Sequence, residues 1–141
     1  DETGDERYLK ALHLLRRQLD TQPRNSLGGF WHKQIYPFQM WLDGLYMAGP
    51  FSAMYAHRFN MPQDFDDIAW QFTLMEQMAR DSETGLLYHG WDESRQQRWS
   101  NPQTGCSPHF WGRPLGWYAL ALVDLLEYVP HCHPIRRAPP G

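Results

Sequence analysis

Hydrophobic residues recur at helical spacing in two segments of the chain, and this pattern predicts two amphipathic helices. The first spans about residues 5–21 and is ended by Pro23. The second begins near Asp64, a residue type that caps helix N-termini, and ends near residue 81. Charged residues face away from both apolar stripes, so both helices are predicted to lie on the outside of the molecule. The stripes contain Tyr8, Leu9, Leu12, Leu15 and Leu19 in the first helix, and Phe65, Ile68, Ala69, Phe72, Met75 and Ala79 in the second.

Two further segments, residues 38–58 and 113–128, are apolar on nearly every side. A helix of this kind is buried, so both are predicted to be inner helices. Pro37 fixes a φ angle suited to a helix start, which places the beginning of the first inner helix near Phe38. The pair Gly49-Pro50 is expected to bend that helix.

Long loops precede both inner helices, at residues 24–37 and 86–112, and both are rich in Gly, Pro and aromatic residues. Loops of this length in a compact domain are usually functional. Because each loop leads into an inner helix, we expect them to converge at one end, close to Asp43, His89 and Arg113. The alternation of outer and inner helices predicts an all-α fold of two helical hairpins, like blades of an α/α toroid.

Asp43 is the only charged residue between positions 38 and 47. A buried carboxylate is costly unless it is paired, hydrogen-bonded or neutralised, and burial favours the protonated form that a general acid needs. The alternative is a structural Asp satisfied by a neighbouring Arg or by backbone amides. Position alone leaves both interpretations open.

Aromatic residues make up 15% of the chain, and several lie in the predicted loops. Loop aromatics beside polar residues suit stacking against sugar rings, although each could instead pack its loop onto the core. A formal charge of -3 with mixed signs argues against nucleic acid as a partner. No apolar run approaches the ~20 residues that a membrane span needs.

The remaining polar clusters indicate no metal or other cofactor. Asp64, Asp66 and Asp67 are explained by helix capping and by favourable charge in the first helical turn. Cys106 and Cys132 are too few for a disulfide framework, which favours a reducing compartment such as the cytoplasm. Residues 131–141 are rich in Pro and are expected to form an irregular tail after a domain that spans residues 1–130.

Four ordered motifs together resemble the unsaturated rhamnogalacturonyl hydrolases, which are glycoside hydrolase family 105. The more distant relatives are the unsaturated glucuronyl hydrolases of family 88. The resemblance covers about residues 1–130. The motifs are Gly-Gly-Phe-Trp-His-Lys at 28–33, Met-Trp-Leu-Asp-Gly-Leu-Tyr-Met at 40–47, His-Gly-Trp-Asp-Glu-Ser at 89–94 and Phe-Trp-Gly-Arg-Pro-Leu-Gly-Trp-Tyr at 110–118.

The resemblance implies part of an (α/α)6 toroid that removes a 4,5-unsaturated galacturonic acid from pectin-derived disaccharides. The implied reaction is hydration of the sugar double bond, in which Asp43 matches the catalytic acid that later activates the water. The implied substrate-binding residues are His32, Lys33, Trp41, His89, Trp111, Arg113 and Trp117.

The chain also departs from the family. The family places a second aspartate on an inner helix upstream of the position that Asp1 occupies, and the later hairpins have no counterpart here. We therefore expect a fragment that is weakly active or inactive alone and that self-associates through exposed hairpin seams. A non-catalytic carbohydrate-binding remnant of the family and an α-helical interaction domain remain the alternatives at this point.

Overall fold

A computed structural model describes residues 4–136 and contains four long helices joined by two structured loops. Each helical segment that the sequence predicts is present, and a pair of short strands is added to them. The elements are α1 (Glu6–Asp20), β1 (Gln39–Trp41), α2 (Leu42–Arg58), α3 (Asp64–Ala79), β2 (Gly90–Asp92), α4 (Gly112–Tyr128) and the short 3-10 helix η1 (Pro134–Arg136).

Helix α2 is the central element, because it contacts α1, α3, α4 and β1. It continues through Pro50. The close approach of α3 is made possible by Gly49, where an added Cβ would lie 2.6 Å from the Phe72 ring. The core is formed mainly by α2, α3 and α4 together with β1 and β2, and its fully covered large side chains include Met40, Leu42, Phe72, Leu74 and Met75.

The predicted start of the first inner helix at Phe38 is wrong, because residues 39–41 are extended and α2 begins at Leu42. Phe38 has a φ of 65°, outside the range of a helix start. Strand β1 pairs antiparallel with β2, with Met40 opposite Trp91. Residues 39–41 thus form one strand of a two-stranded sheet, which the sequence pattern did not predict.

Both outer helices lie within about two residues of their predicted bounds. Asp5 caps α1 by accepting a hydrogen bond from the Arg7 backbone N–H at 2.9 Å. In α3 the N-cap is Gln63, so the prediction of Asp64 as N-cap is wrong by one position.

The three aspartates in the first turn of α3 each contact a side chain from a separate segment. Their partners are Arg16 for Asp64 at 3.0 Å, Arg24 for Asp67 at 2.6 Å and His133 for Asp66 at 3.2 Å. These pairs connect α3 to α1, to the first long loop and to the C-terminal segment.

Several apolar side chains that the sequence assigns to buried stripes are exposed. Only Pro114, Ala121 and Leu125 of α4 are buried, and no residue of α1 is buried. The prediction that α4 is buried on all sides is therefore wrong within residues 4–136, because no described element covers its outward face. That face includes Leu120, Val123 and Leu126, whose exposed fractions are 52%, 61% and 52%. None of the helices within this range is long and apolar enough to cross a membrane.

The described part of the predicted tail is packed, contrary to expectation. Residues 134–136 form η1, and Ile135 packs against the core. Arg136 donates to the Val129 carbonyl at 2.9 Å and also to the Leu126 carbonyl. Leu126 lies in the last turn of α4 and Val129 is its C-cap, so both carbonyls need a partner from outside the helix. The two bonds from Arg136 therefore hold η1 against the end of α4. The rest of the predicted tail, residues 137–141, lies outside the described residues.

The exposed face of α4 predicts that the 141-residue chain self-associates. Apolar patches beyond a few hundred Å2 on a soluble monomer normally mark association or aggregation. Sedimentation velocity should show a mass that rises with concentration, and Leu120→Glu combined with Val123→Glu should shift the chain toward monomer.

The control is Leu86→Glu combined with Ile35→Glu, which adds the same two charges at exposed apolar residues away from α4. It should leave the association unchanged. A parent chain that stays monomeric at every concentration and melts cooperatively would contradict the prediction.

Candidate active site

The two long loops meet at the N-terminus of α2, as the sequence predicts. The β1–β2 pairing joins them, and the Leu42 N–H donates to the His89 carbonyl at 3.1 Å. A further bond, from the His32 N–H to the Gln39 carbonyl at 2.7 Å, folds the first loop back onto β1. Backbone hydrogen bonds therefore fix the positions from which both loops present their side chains.

Asp43 is the second residue of α2, and its side chain is 13% exposed. Its Oδ1 lies 3.4 Å from the Arg113 Nη1, whereas Oδ2 is buried and has no hydrogen-bond partner within residues 4–136. Buried polar atoms without partners are rare in folded proteins and need an explanation. The structural interpretation of Asp43, as a carboxylate satisfied by an Arg, therefore accounts for only one of its two oxygens.

Arg113 lies in the first turn of α4, with 55% of its side chain exposed. Its guanidinium carbon is 4.0 Å from the centre of the Trp111 ring, which is a cation–π contact. A guanidinium held on one face by an aromatic ring still has N–H donors for a carboxylate ligand. Arg113 therefore contacts Asp43 and remains accessible to a second anion.

A continuous series of ring contacts connects this ion pair to the first loop. Trp111 contacts His89 edge to face at 5.6 Å, and His89 contacts Trp41 edge to face at 5.8 Å. Trp41 in turn stacks with His32 at 5.3 Å. Residues from both loops and from the start of α4 thus form one contiguous aromatic surface beside Asp43. We call this surface, made of His32, Trp41, His89 and Trp111, the aromatic wall.

His32 packs directly over the start of α2. An added Cβ on Gly44 would lie 2.7 Å from the His32 Nδ1, so only glycine leaves room for the ring at that position. Burial lowers the pKa of His32 below its usual value, and the nearby charge of Lys33 lowers it further, while Asp43 has a smaller opposing effect. His32 is therefore predominantly neutral near pH 7.

The last two predicted binding residues lie farther along the same elements. Lys33 Nζ is 5.8 Å from the Tyr36 ring at the tip of the first loop. Trp117 is one helical turn beyond Arg113 and contacts Tyr46 at 4.6 Å between ring centres. Tyr46 is three residues after Asp43 on α2, so the two side chains lie on the same face of that helix. The Tyr46–Trp117 contact is therefore next to the Asp43–Arg113 ion pair.

Asp92 is a structural residue of the site that sequence reasoning did not single out. It is fully buried, and its carboxylate accepts hydrogen bonds from the backbone N–H groups of Ser94, Gln96 and Gln97, each at 3.0 Å. The sequence signal was the Asp-Glu-Ser turn pattern, in which an Asp side chain binds the backbone two residues on. This carboxylate shapes the second loop after β2. Within the described range, no three His, Cys, Asp or Glu side chains are arranged to hold a metal ion.

Comparison with known proteins identifies the family. The family model for Glycosyl Hydrolase Family 88 matches residues 1–139. The chain belongs to this family. The match extends beyond the four motifs and includes all the helices of the structure.

Solved structures similar to this family 88 chain include a glycoside hydrolase from family 105 of C. acetobutylicum. It has a TM-score of 0.93 and 53% identity, and the match covers 96% of this chain and 38% of the clostridial one. A possible family 105 member from Salmonella enterica has a TM-score of 0.76 and 28% identity, over 96% of this chain and 35% of the other.

A curated relative is the unsaturated rhamnogalacturonyl hydrolase YesR of Bacillus subtilis, 32% identical over 138 residues. That match covers 94% of this chain and 38% of the relative. The family 88 chain thus spans between 36% and 38% of the length of the curated relatives it matches.

The fold likeness confirms the predicted class, two helical hairpins that form part of an α/α toroid. The two-stranded sheet is a small addition to that fold.

The environment of His32 predicts a pH dependence of stability for this family 88 chain. The pKa of His32 is lowered on folding, so the unfolded chain binds a proton more readily. The contribution of a neutral His32 to the free energy of unfolding is thus fully present above the unfolded pKa of about 6.5 and is lost as the pH falls below it. An NMR titration should give His32 a pKa below this value, and Lys33→Met should raise it.

Lys10→Met is the matched control, because it removes the same charge from α1, where Lys10 pairs only with the exposed Glu6 at 3.8 Å. It should leave the His32 titration unchanged. A His32 pKa at or above 6.5 in the parent chain would contradict the burial argument.

Proposed function

We propose that this chain forms the catalytic part of a glycoside hydrolase that acts on unsaturated rhamnogalacturonan disaccharides. The reaction releases the 4,5-unsaturated galacturonic acid by hydration of its double bond. The observation that carries the proposal is Asp43, which has one oxygen beside an accessible Arg and one buried oxygen without a partner among the described residues. A buried carboxyl group that a substrate can reach is suited to general acid catalysis.

Substrate binding is assigned to Arg113 and the aromatic wall. The carboxylate of the unsaturated sugar would form a charge-assisted hydrogen bond with the Arg113 guanidinium. The apolar faces of the sugar rings would stack on Trp41 or Trp111, since aromatic rings offer large, rigid contact surfaces.

The proposed chemistry uses Asp43 twice. Its proton is transferred to C4 of the double bond, and the positive charge that develops at C5 is shared with the ring oxygen. The Asp43 carboxylate then accepts a proton from water as the water oxygen bonds to C5, which regenerates the acid. The resulting hemiketal opens, the bond from C1 to the leaving sugar breaks, and one water is consumed overall. No second carboxylate is needed in this scheme, unlike in direct glycoside hydrolysis.

The relatives add support on substrate class. The Bacillus subtilis relative is named as an unsaturated rhamnogalacturonyl hydrolase, and the C. acetobutylicum structure is a hydrolase from family 105. The charge of Arg113 would favour an anionic sugar. The Trp41 ring and the neutral His32 ring would favour a sugar whose unsaturated ring is flattened. The activity is proposed for a full-length enzyme that carries this segment, with a cytoplasmic site of action.

Asp43→Asn is expected to abolish turnover while substrate still binds. The amide keeps the shape of the side chain but cannot donate a proton to carbon, so kcat should fall by roughly a thousandfold or more. The measurement is loss of absorbance from the sugar double bond, made on a full-length enzyme that carries this segment, with calorimetry for binding.

Asp124→Asn is the control, because it makes the same change on α4 about three helical turns beyond Arg113. It should leave kcat unchanged. Retained turnover in Asp43→Asn would exclude Asp43 as the acid, and sugar binding without turnover in the parent enzyme would support a non-catalytic binding protein instead.

Arg113→Ala is expected to weaken binding of the unsaturated uronic acid by about tenfold or more, and to affect a neutral analogue far less. The reason is that only the anionic ligand loses a charge-assisted hydrogen bond. Calorimetric Kd values for an unsaturated uronate and for its methyl ester would measure the difference.

Arg58→Ala is the matched control, since Arg58 is the last residue of α2, at the end remote from Asp43. It should weaken neither ligand. An equal loss for both ligands in Arg113→Ala would indicate that Arg113 supports the packing of Trp111 and does not bind the anion.

A further inference from the structure

His89 is held by two polar groups on the same ring nitrogen. Its Nδ1 lies 2.8 Å from the backbone carbonyl oxygen of His109 and 3.1 Å from the Ser107 Oγ. The other ring nitrogen, Nε2, has no hydrogen-bond partner in the part of the chain that the structure describes. Both partners of Nδ1 belong to the second long loop, on the side that leads into α4.

The geometry determines where the ring carries its proton. A carbonyl oxygen can only accept a hydrogen bond, so a contact of 2.8 Å requires Nδ1 to be the donor. The opposite tautomer would place the Nδ1 lone pair against the lone pairs of the His109 oxygen. In the neutral ring the proton is therefore on Nδ1, and Nε2 carries the lone pair.

Ser107 is well placed to hold this arrangement. It is 3% exposed, its N–H donates to the Gly90 carbonyl at 2.8 Å, and its Oγ accepts from the Gly90 N–H at 3.2 Å. Gly90 is the first residue of β2 and lies opposite Trp41 in the sheet. The Ser107 hydroxyl is thus fixed relative to the aromatic wall, and it is a second acceptor for the Nδ1–H.

We propose that Ser107 is a positioning residue that, with the His109 carbonyl, holds His89 as the Nδ1–H tautomer and so presents Nε2 as a hydrogen-bond acceptor for a sugar hydroxyl. The proposal rests on the proposed function for its ligand, a sugar hydroxyl group next to the unsaturated bond. The tautomer itself depends only on the contacts around the ring. Ser107 acts through His89 and does not contact the sugar.

The first test reads the tautomer directly and needs no turnover. In a full-length enzyme that carries this segment, labelled with 15N-histidine and measured at about pH 8, His89 should show a protonated Nδ1 and an unprotonated Nε2. Ser107→Ala should move both shifts toward the average of the two tautomers. Ser107→Thr, which keeps the hydroxyl, should restore them. A protonated Nε2 in the parent enzyme, or unchanged shifts in Ser107→Ala, would overturn the proposal.

The second test measures kinetics on the unsaturated disaccharide. Ser107→Ala should raise KM by about three- to tenfold with little change in kcat, since one neutral hydrogen bond to bound sugar is weakened. Ser107→Thr should restore KM. Ser100→Ala is the matched control, because it removes a hydroxyl group from the same loop. The Ser100 hydroxyl donates to the Gln97 carbonyl at 3.0 Å. An unchanged KM in Ser107→Ala, or an equal rise in Ser100→Ala, would overturn the positioning role.

The two tests also separate this inference from the proposed function. If the enzyme fails to hydrate the unsaturated sugar but His89 shows the Nδ1–H tautomer and responds to Ser107→Ala, the proposed function fails and the positioning of His89 stands. If turnover is found but His89 carries its proton on Nε2, the proposed function stands and the positioning of His89 by Ser107 fails.

Discussion

Three residue pairs between β1 and β2 hold the two long loops together beside the start of α2. Trp41 is the last β1 residue of that pairing, His89 immediately precedes β2, and Asp43 follows Trp41 after a single residue. A two-stranded ribbon is marginal by itself. Here it is stabilised because Met40 and Trp91 enter the helical core, and because the Leu42 N–H, one of the free donors at the start of α2, binds the His89 carbonyl. Loss of this pairing would separate the aromatic wall from the carboxylate while leaving the helices intact.

The site also shows a conflict between stability and chemistry. Within residues 4–136, Oδ2 of Asp43 and Nδ1 of His32 have no hydrogen-bond partner, and each is expected to destabilise the fold by about 1–3 kcal/mol, the cost of a buried polar atom left without a hydrogen bond. The carboxylate of Asp92, by contrast, accepts three backbone hydrogen bonds. Unsatisfied atoms concentrated next to a carboxylate and an accessible guanidinium are typical of a site that completes its hydrogen bonds with a ligand.

Much of this arrangement could be predicted from the sequence, and the exceptions have physical causes. The two outer helices follow from apolar periodicity over 15 to 16 residues, and the two inner helices follow from long segments that are apolar on nearly every side. Strands of three residues give no such pattern, so β1 was mistaken for the first turn of α2. The convergence of the two loops could be predicted from chain order alone, because each loop leads into an inner helix. That order places Asp43, His89 and Arg113 at the same end of the helices. The contacts of Asp92 and Ser107 depend on hydrogen bonds between distant loop positions, which no local pattern reveals. The exposure of α4 depends on which elements surround it, and periodicity does not specify that.

Gly44 shows what the site implies for attempts to make the protein more heat-resistant. Replacing helical Gly by Ala is a common route to stabilisation, since Gly costs about 1 kcal/mol relative to Ala in a helix. At Gly116 on α4 an added Cβ meets nothing within 4 Å, so the exchange should follow that rule. At Gly44 the same methyl group would collide with the His32 imidazole. Helix propensity alone would thus treat Gly44 and Gly116 as equivalent. Only at Gly44, however, does the missing side chain leave room for the His32 ring next to Asp43.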